Sequence, residues 1–194
     1  KGFVKDDKLI VEAHVKVISV AGIRKSPSFD FTQPSFGWDN IALIIEGEKV
    51  FVCKRVLALH SPVFQSMFFR DFAEKDKEEI ELKDVVLEEF IELLNVIYPS
   101  ERQVTVDSYK FLLALADRFQ IKIASDRVEA YLIKTSKLCT GAKLLLSDQS
   151  RLEMLKMHCM NSIKQLSDIK ALEKTDEFNQ LSESMNSSLF KKML

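Results

Sequence analysis

Glycine and proline are scarce, five and four among 194 residues. A loop that cradles phosphate needs several closely spaced glycines, and none is expected here. The three cysteines, Cys53, Cys139 and Cys159, are odd in number and lack CxxC spacing. That excludes a recognisable zinc site or disulfide framework and favours buried free thiols. A surplus of charge is missing too. Lys and Arg total 28 against 29 Asp and Glu, so neither nucleic acid nor an anionic membrane is an expected partner. No apolar run approaches the ~20 residues that span a bilayer, and the opening KGFVKDDKL does not read as a signal peptide. These features lead us to expect a soluble intracellular chain, cytoplasmic or nuclear, without cofactor or metal. With 46% hydrophobic residues it can build a sizeable core, enough for one ordinary domain and a smaller one.

Catalytic groupings are also wanting. His60-Ser61 has no oxyanion loop or nucleophile elbow around it, and Ser61 before Pro62 reads as a helix cap. His14, His60 and His158 stand apart from one another and from cysteine at ligand spacing. Glu78, Glu79 and Glu81 read as a solvated loop and strand face rather than paired catalytic carboxylates. No enzyme is expected.

The organising stretch is Val50 to Leu82, which reads as strand, helix, capped helix, charged loop and strand. Ile41 to Ile45 and Lys49 to Val52 flank Glu46-Gly47-Glu48, the pattern of a β-hairpin. Lys54 to Leu59 spaces Val56, Leu57 and Leu59 as a helix. After Ser61-Pro62, Phe64, Met67 and Phe68 fall at i, i+3 and i+4, giving a short helix one apolar face. Ile80 and Leu82 alternate with glutamates as a short strand. Asp84 is placed to cap a helix carrying Leu87, Phe90, Ile91, Leu94 and Ile97, which Pro99 ends. Asp107-Ser108 caps another with Tyr109, Leu112, Leu113, Ala116 and Phe119, and Ser125 a third with Val128, Tyr131 and Leu132.

Toward the ends the pattern changes. Leu9, Val11, Ala13, Val15 and Val17 alternate as one strand, begun by a turn at Asp6-Asp7. Residues 22–37 read as an extended linker broken by Pro27 and Pro34. Phe29, Phe31, Phe36 and Trp38 are too apolar for a free tether, leaving two readings: packing against the neighbouring domain, or contact with another chain. Beyond Lys137, Leu152, Leu155, Cys159, Ile163 and Leu166 mark one long helix after Asp148, with two shorter helices before and after Ser182.

Lys54, Val56, Leu57, Ala58, Ser61, Pro62, Val63, Phe64, Met67 and Phe68 together resemble the first helical hairpin of a BTB (POZ) domain. Within that family the chain is most similar to the MATH-BTB group, whose members act as substrate adaptors for cullin-3 ubiquitin ligases. The resemblance implies an α/β (α+β) fold with a small mixed sheet flanked by helical hairpins, plus an all-helical extension. It divides the chain into 1–20, a C-terminal strand remnant of a MATH-like domain; 21–38, a linker; 39–136, the BTB domain; and 137–194, a BACK-like helical extension.

The implied function is a non-catalytic homodimeric adaptor that binds the N-terminal domain of cullin-3, with an unidentified substrate recruited through a MATH region mostly absent here. Phe72-Ala73-Glu74 matches the hydrophobic-x-Glu motif of cullin-binding BTB domains. The implied cullin surface comprises Phe68, Phe69, Asp71, Phe72, Glu74, Tyr98 and Tyr109. The other reading of Phe72 and Glu74 is a ring folded back on the domain and a plain surface charge. Asp39, Lys54, Val56, Leu57 and Leu59 occupy family dimer positions, although Asp39 and Lys54 read equally as solvated charges. The alternative function is a structural homo-oligomerisation module that meets no cullin.

Overall fold

The computed structural model describes residues 4–5, 8–9, 29–35, 40–69, 77–100, 102–134 and 136–192. Near the start, β1 (Val4–Lys5) pairs antiparallel with β2 (Lys8–Leu9). The expected strand beyond Leu9 lies outside the described residues, as do Asp6 and Asp7.

A three-stranded sheet, ordered β4-β3-β5, supports the body. Strands β3 (Asn40–Ile45) and β4 (Glu48–Cys53) form the expected hairpin, and Ile45 pairs with Glu48 so that Glu46 and Gly47 alone make the loop. Both have positive φ, 51° and 85°, the mirror-image turn whose twist matches the strands it joins. Strand β5 (Glu79–Glu81) runs parallel to β3. Ile41, Leu43, Ile45, Val50, Val52 and Ile80 are buried, as a period of two predicts for one inward face.

Helices α1 (Lys54–His60) and α2 (Pro62–Phe69) follow. The restart between them is as expected: Ser61 Oγ accepts the Phe64 N–H at 3.1 Å. It also donates to the Phe119 carbonyl at 2.6 Å, so a residue with no exposed surface ties the hairpin to a later helix. Phe64 stacks on Phe119 at 4.8 Å and on Phe68 at 5.6 Å, and Phe90 closes the cluster edge-on, 5.8 Å from Phe119. Such pairs contribute about 0.5–1.5 kcal/mol each beyond the area they bury.

Helix α3 (Leu87–Ile97) is not capped by Asp84, which lies three residues ahead of its first turn with φ at 55°. The Leu87 N–H is instead bound by Glu46 Oε2, at 3.0 Å, from the hairpin turn. Helix α4 (Tyr109–Arg118) begins after Ser108, whose hydroxyl turns back to accept the Thr105 N–H at 2.9 Å and leaves the helix without a side-chain cap. Helix α5 (Lys122–Lys134) starts before Ser125, not at it. Gln120 takes the left-handed conformation and the Ile121 N–H reaches back to the Ala116 carbonyl, so Ile121 already supplies the next helix's first acceptor. Left-handed residues at a helix end permit such a sharp restart.

The tail comprises α6 (Thr140–Gln149), α7 (Glu153–Ser162), α8 (Leu166–Leu172), a 3-10 turn (Phe178–Gln180) and α9 (Glu183–Lys191). The single long helix expected after Asp148 is two helices. Helix α7 stops at Ile163, and Gln165 with Asp168 forms a capping box that opens α8. Two backbone N–H groups, of Lys164 and Gln165, hold the Asp168 carboxyl below its usual range. Leu144, Leu155, Cys159, Ile163, Ile169, Met185 and Leu189 are buried and extend the body's core into the tail.

Candidate protein-interaction surface

The surface anticipated for partner binding begins where α2 ends. Its inner residues, Phe64 and Phe68, are spent on the core, and Phe68 keeps 2% of its surface. Phe69 turns outward, 46% exposed, with its ring edge-on to Phe68 at 6.4 Å. Asp71, Phe72 and Glu74 lie outside the described residues.

Tyr98 is buried at 2%. Its hydroxyl accepts the Cys53 N–H at 2.9 Å, and burial pushes its pKa from 10 up to about 12. Tyr109 is buried as well, its ring stacked on Tyr131 at 6.4 Å. Of the anticipated cullin contacts that are described, then, Phe69 alone presents a large apolar surface, while Phe68, Tyr98 and Tyr109 face the protein's own core.

The anticipated dimer residues divide similarly. Leu57 has no exposed surface, Val56 is half-buried, and Leu59 is 79% exposed, the most open large apolar side chain among the described residues. Lys54, the first residue of α1, lines a groove of about 520 Å³ on the outer face of the sheet, with Asn40, Ala42, Lys49 and Glu79. Lys49 pairs with Glu79 across that face. Asp39 lies outside the described residues.

Two of the three thiols are withdrawn by burial. Burial raises Cys159 to about 11, which keeps it a thiol, and Cys53 is buried too. Cys139 departs from the expectation of burial: it is exposed and caps α6, its Sγ accepting the Ala142 N–H at 3.5 Å. Among the described residues no group of three or more His, Cys, Asp or Glu could hold a metal, and no helix is long and apolar enough to cross a membrane.

Several residues that matter to the architecture carried no signal in spacing. Glu46 caps α3. Glu129, buried on α5, accepts the Leu155 N–H at 2.8 Å and caps α7. Arg118 donates to the carbonyls of Lys83 and Asp84 and fixes the loop between β5 and α3. Asp148 holds both the N–H and the hydroxyl of Ser182. Each acts on a partner more than 25 residues away, beyond any local pattern.

The BTB/POZ domain family matches residues 35–136. Over 192 residues the chain is 40% identical to BTB and MATH domain-containing protein 38 of Caenorhabditis elegans, covering 99% of this chain and 50% of that protein. It is 34% identical to BTB and MATH domain-containing protein 36 of the same organism, at 99% and 60% coverage. The chain belongs to the BTB/POZ family, in its MATH-BTB group. It spans between half and three-fifths of the length of these two MATH-BTB relatives. It is 39% identical to Kelch-like protein 40 of Xenopus laevis over 98 residues, half of this chain and 16% of that protein. Among solved structures, the BTB domain of human gigaxonin overlays 47% of this chain and 75% of its own, with TM-score 0.41 and 21% identity. The BTB/POZ domain is a protein-interaction module, and its mixed α/β body with a helical extension is the architecture expected from the sequence.

Proposed function

We propose that this protein is a non-catalytic homodimeric adaptor, cytoplasmic or nuclear, whose BTB domain binds the N-terminal domain of cullin-3 in a ubiquitin ligase complex. The MATH region of the whole protein would recruit the substrate. The observation that carries the reading is the exit of α2: Phe69 is exposed at its last turn, and the sequence continues directly into Phe72-Ala73-Glu74. An aromatic ledge of that kind can fill a partner's pocket as a hot spot, while the glutamate fixes register through a charged hydrogen bond. Phe68 lies edge-on beneath Phe69, while Tyr98 and Tyr109 are buried in the core and offer a partner no such surface. Two copies in a dimer would present ligase and substrate sites twice and raise effective concentration.

Calorimetric titration with the cullin-3 N-terminal domain tests the reading, run beside Phe72→Ala and Glu74→Ala with circular dichroism as a check on folding. Loss of an anchor costs about 2 kcal/mol or more, roughly a thirtyfold weakening for Phe72→Ala. A folded parent that gives no heat and no complex on a sizing column overturns the cullin reading. The second reading, a structural oligomerisation module, draws on Leu59, whose exposure on α1 suits self-association. It predicts a concentration-dependent dimer that Leu59→Asp disperses, and no binding of the cullin-3 N-terminal domain.

A further inference from the structure

Strand β4 is an edge of the sheet, and an edge strand presents backbone N–H groups that invite another strand. Two of these groups are already satisfied. The Phe51 N–H donates to the Phe31 carbonyl at 2.8 Å, and the Cys53 N–H donates to the Tyr98 hydroxyl at 2.9 Å. The partner on the first is not a strand of the sheet. It is the linker.

Phe29 and Phe31 sit two residues apart, the spacing that puts side chains of an extended segment on one side. Both rings lie against Tyr98, at 5.1 and 5.2 Å, and 6.2 Å from each other. Phe31 is 5% exposed and Phe29 half-buried, while Asp30 between them is exposed. Asp30 then accepts from the N–H of Thr32 at 2.9 Å and from its hydroxyl at 2.7 Å. That local bond turns the chain after the second ring and holds the Asp30 carboxyl below its ordinary range. Thr32, Gln33 and Pro34 are exposed.

An extended backbone on a sheet edge, with alternate side chains in a pocket, is how peptides bind by strand addition. We propose that Phe29-Asp30-Phe31 is a peptide ligand bound in cis: an aromatic clip, separable from the core, that fastens the segment before β3 to the β4 edge and the face of Tyr98. The acceptor site is the Phe51 backbone and the Tyr98 ring, and it takes an extended segment with aromatic residues at alternate positions. The inference is independent of the cullin reading.

Hydrogen exchange on the full chain tests it. In the double variant Phe29→Ala/Phe31→Ala the Phe51 amide should exchange about tenfold faster or more, as a local opening does. The amides of Val50 and Val52 on the same strand should hold their protection. A peptide covering residues 28–35, SFDFTQPS, added at millimolar concentration to that variant, should restore protection at Phe51. The same peptide with both phenylalanines replaced by alanine should not. Acceleration of all three amides together would make Phe31 an inseparable part of the core and overturn the proposal. So would an unchanged Phe51 amide, or failure of the parent peptide to restore it in a variant that has kept its sheet.

Discussion

In the BTB body the starts of α2 and α3 are tied to distant parts of the chain, whereas in the tail helix starts are satisfied mostly from next door. Helix α3 takes its acceptor from Glu46, 41 residues earlier. The serine that starts α2 also reaches Phe119, 58 residues later. In the tail, α6 uses Cys139, α8 its own Gln165 and Asp168, and α9 uses Ser182. Helix α7 is the exception, because its cap is Glu129 of the body. The difference teaches where cooperativity resides: the body is cross-braced, and the tail is a set of locally written helices joined to it along the seam between α5 and α7.

The severest test of that division is Phe64→Ala. Phe64 has no exposed surface and stacks on both Phe68 and Phe119, so its truncation costs about 3–5 kcal/mol. If the seam couples the two regions, urea melts followed at body and tail will coincide, and a surviving tail transition would break the comparison. Next in size is Glu129→Ala. It strands the buried Leu155 N–H and costs about 1–3 kcal/mol, with exchange rising in α7 before it rises in α3; Glu129→Gln keeps an acceptor oxygen and recovers part of the loss. Ser182→Ala is smaller, about 1 kcal/mol, and its effect should stay within α9 and its tie to Asp148 on α6.

The titration of Tyr98 has no effect at neutral pH and gains one in alkali. Its folded pKa, about 12, stands above the ordinary 10 because burial disfavours the phenolate. The unfolded chain therefore releases its proton first. Stability from this group is complete below pH 10 and is lost as the pH rises through 12. Tyr98→Phe should flatten the fall in melting temperature over that window, although it also removes the acceptor for the Cys53 N–H.

Signals that act within one or two turns were legible in the sequence. The Glu46-Gly47 hairpin, the Ser61-Pro62 restart and the stripe of α3 each rest on neighbours within a few residues. The misread starts have a common cause. Asp84, Ser108 and Ser125 are good capping residues by type, but each cap was pre-empted: by a carboxylate from the hairpin turn, by a hydroxyl turned toward Thr105, and by a left-handed Gln120 that lets α5 begin early.

The tail misled differently. Leu152, Leu155, Cys159 and Ile163 are buried along α7, and the apolar spacing continues across the break between α7 and α8 to Leu166, which is 55% exposed. The polar pair Gln165 and Asp168 marks that break. At the interaction surface, aromatic residues could be counted from sequence but not assigned a side. Phe68 turned inward and Phe69 outward, one residue apart, because a helix of two turns cannot face both neighbours toward the same core.

Glu46 holds φ 51° in a two-residue turn where asparagine or glycine would sit at lower cost. A designer improving the hairpin alone would replace it, and the hairpin would gain. Helix α3 would lose the carboxylate on its first N–H, 41 residues away. The residue is thus a compromise between two elements that never meet in sequence, and the better hairpin makes the worse protein.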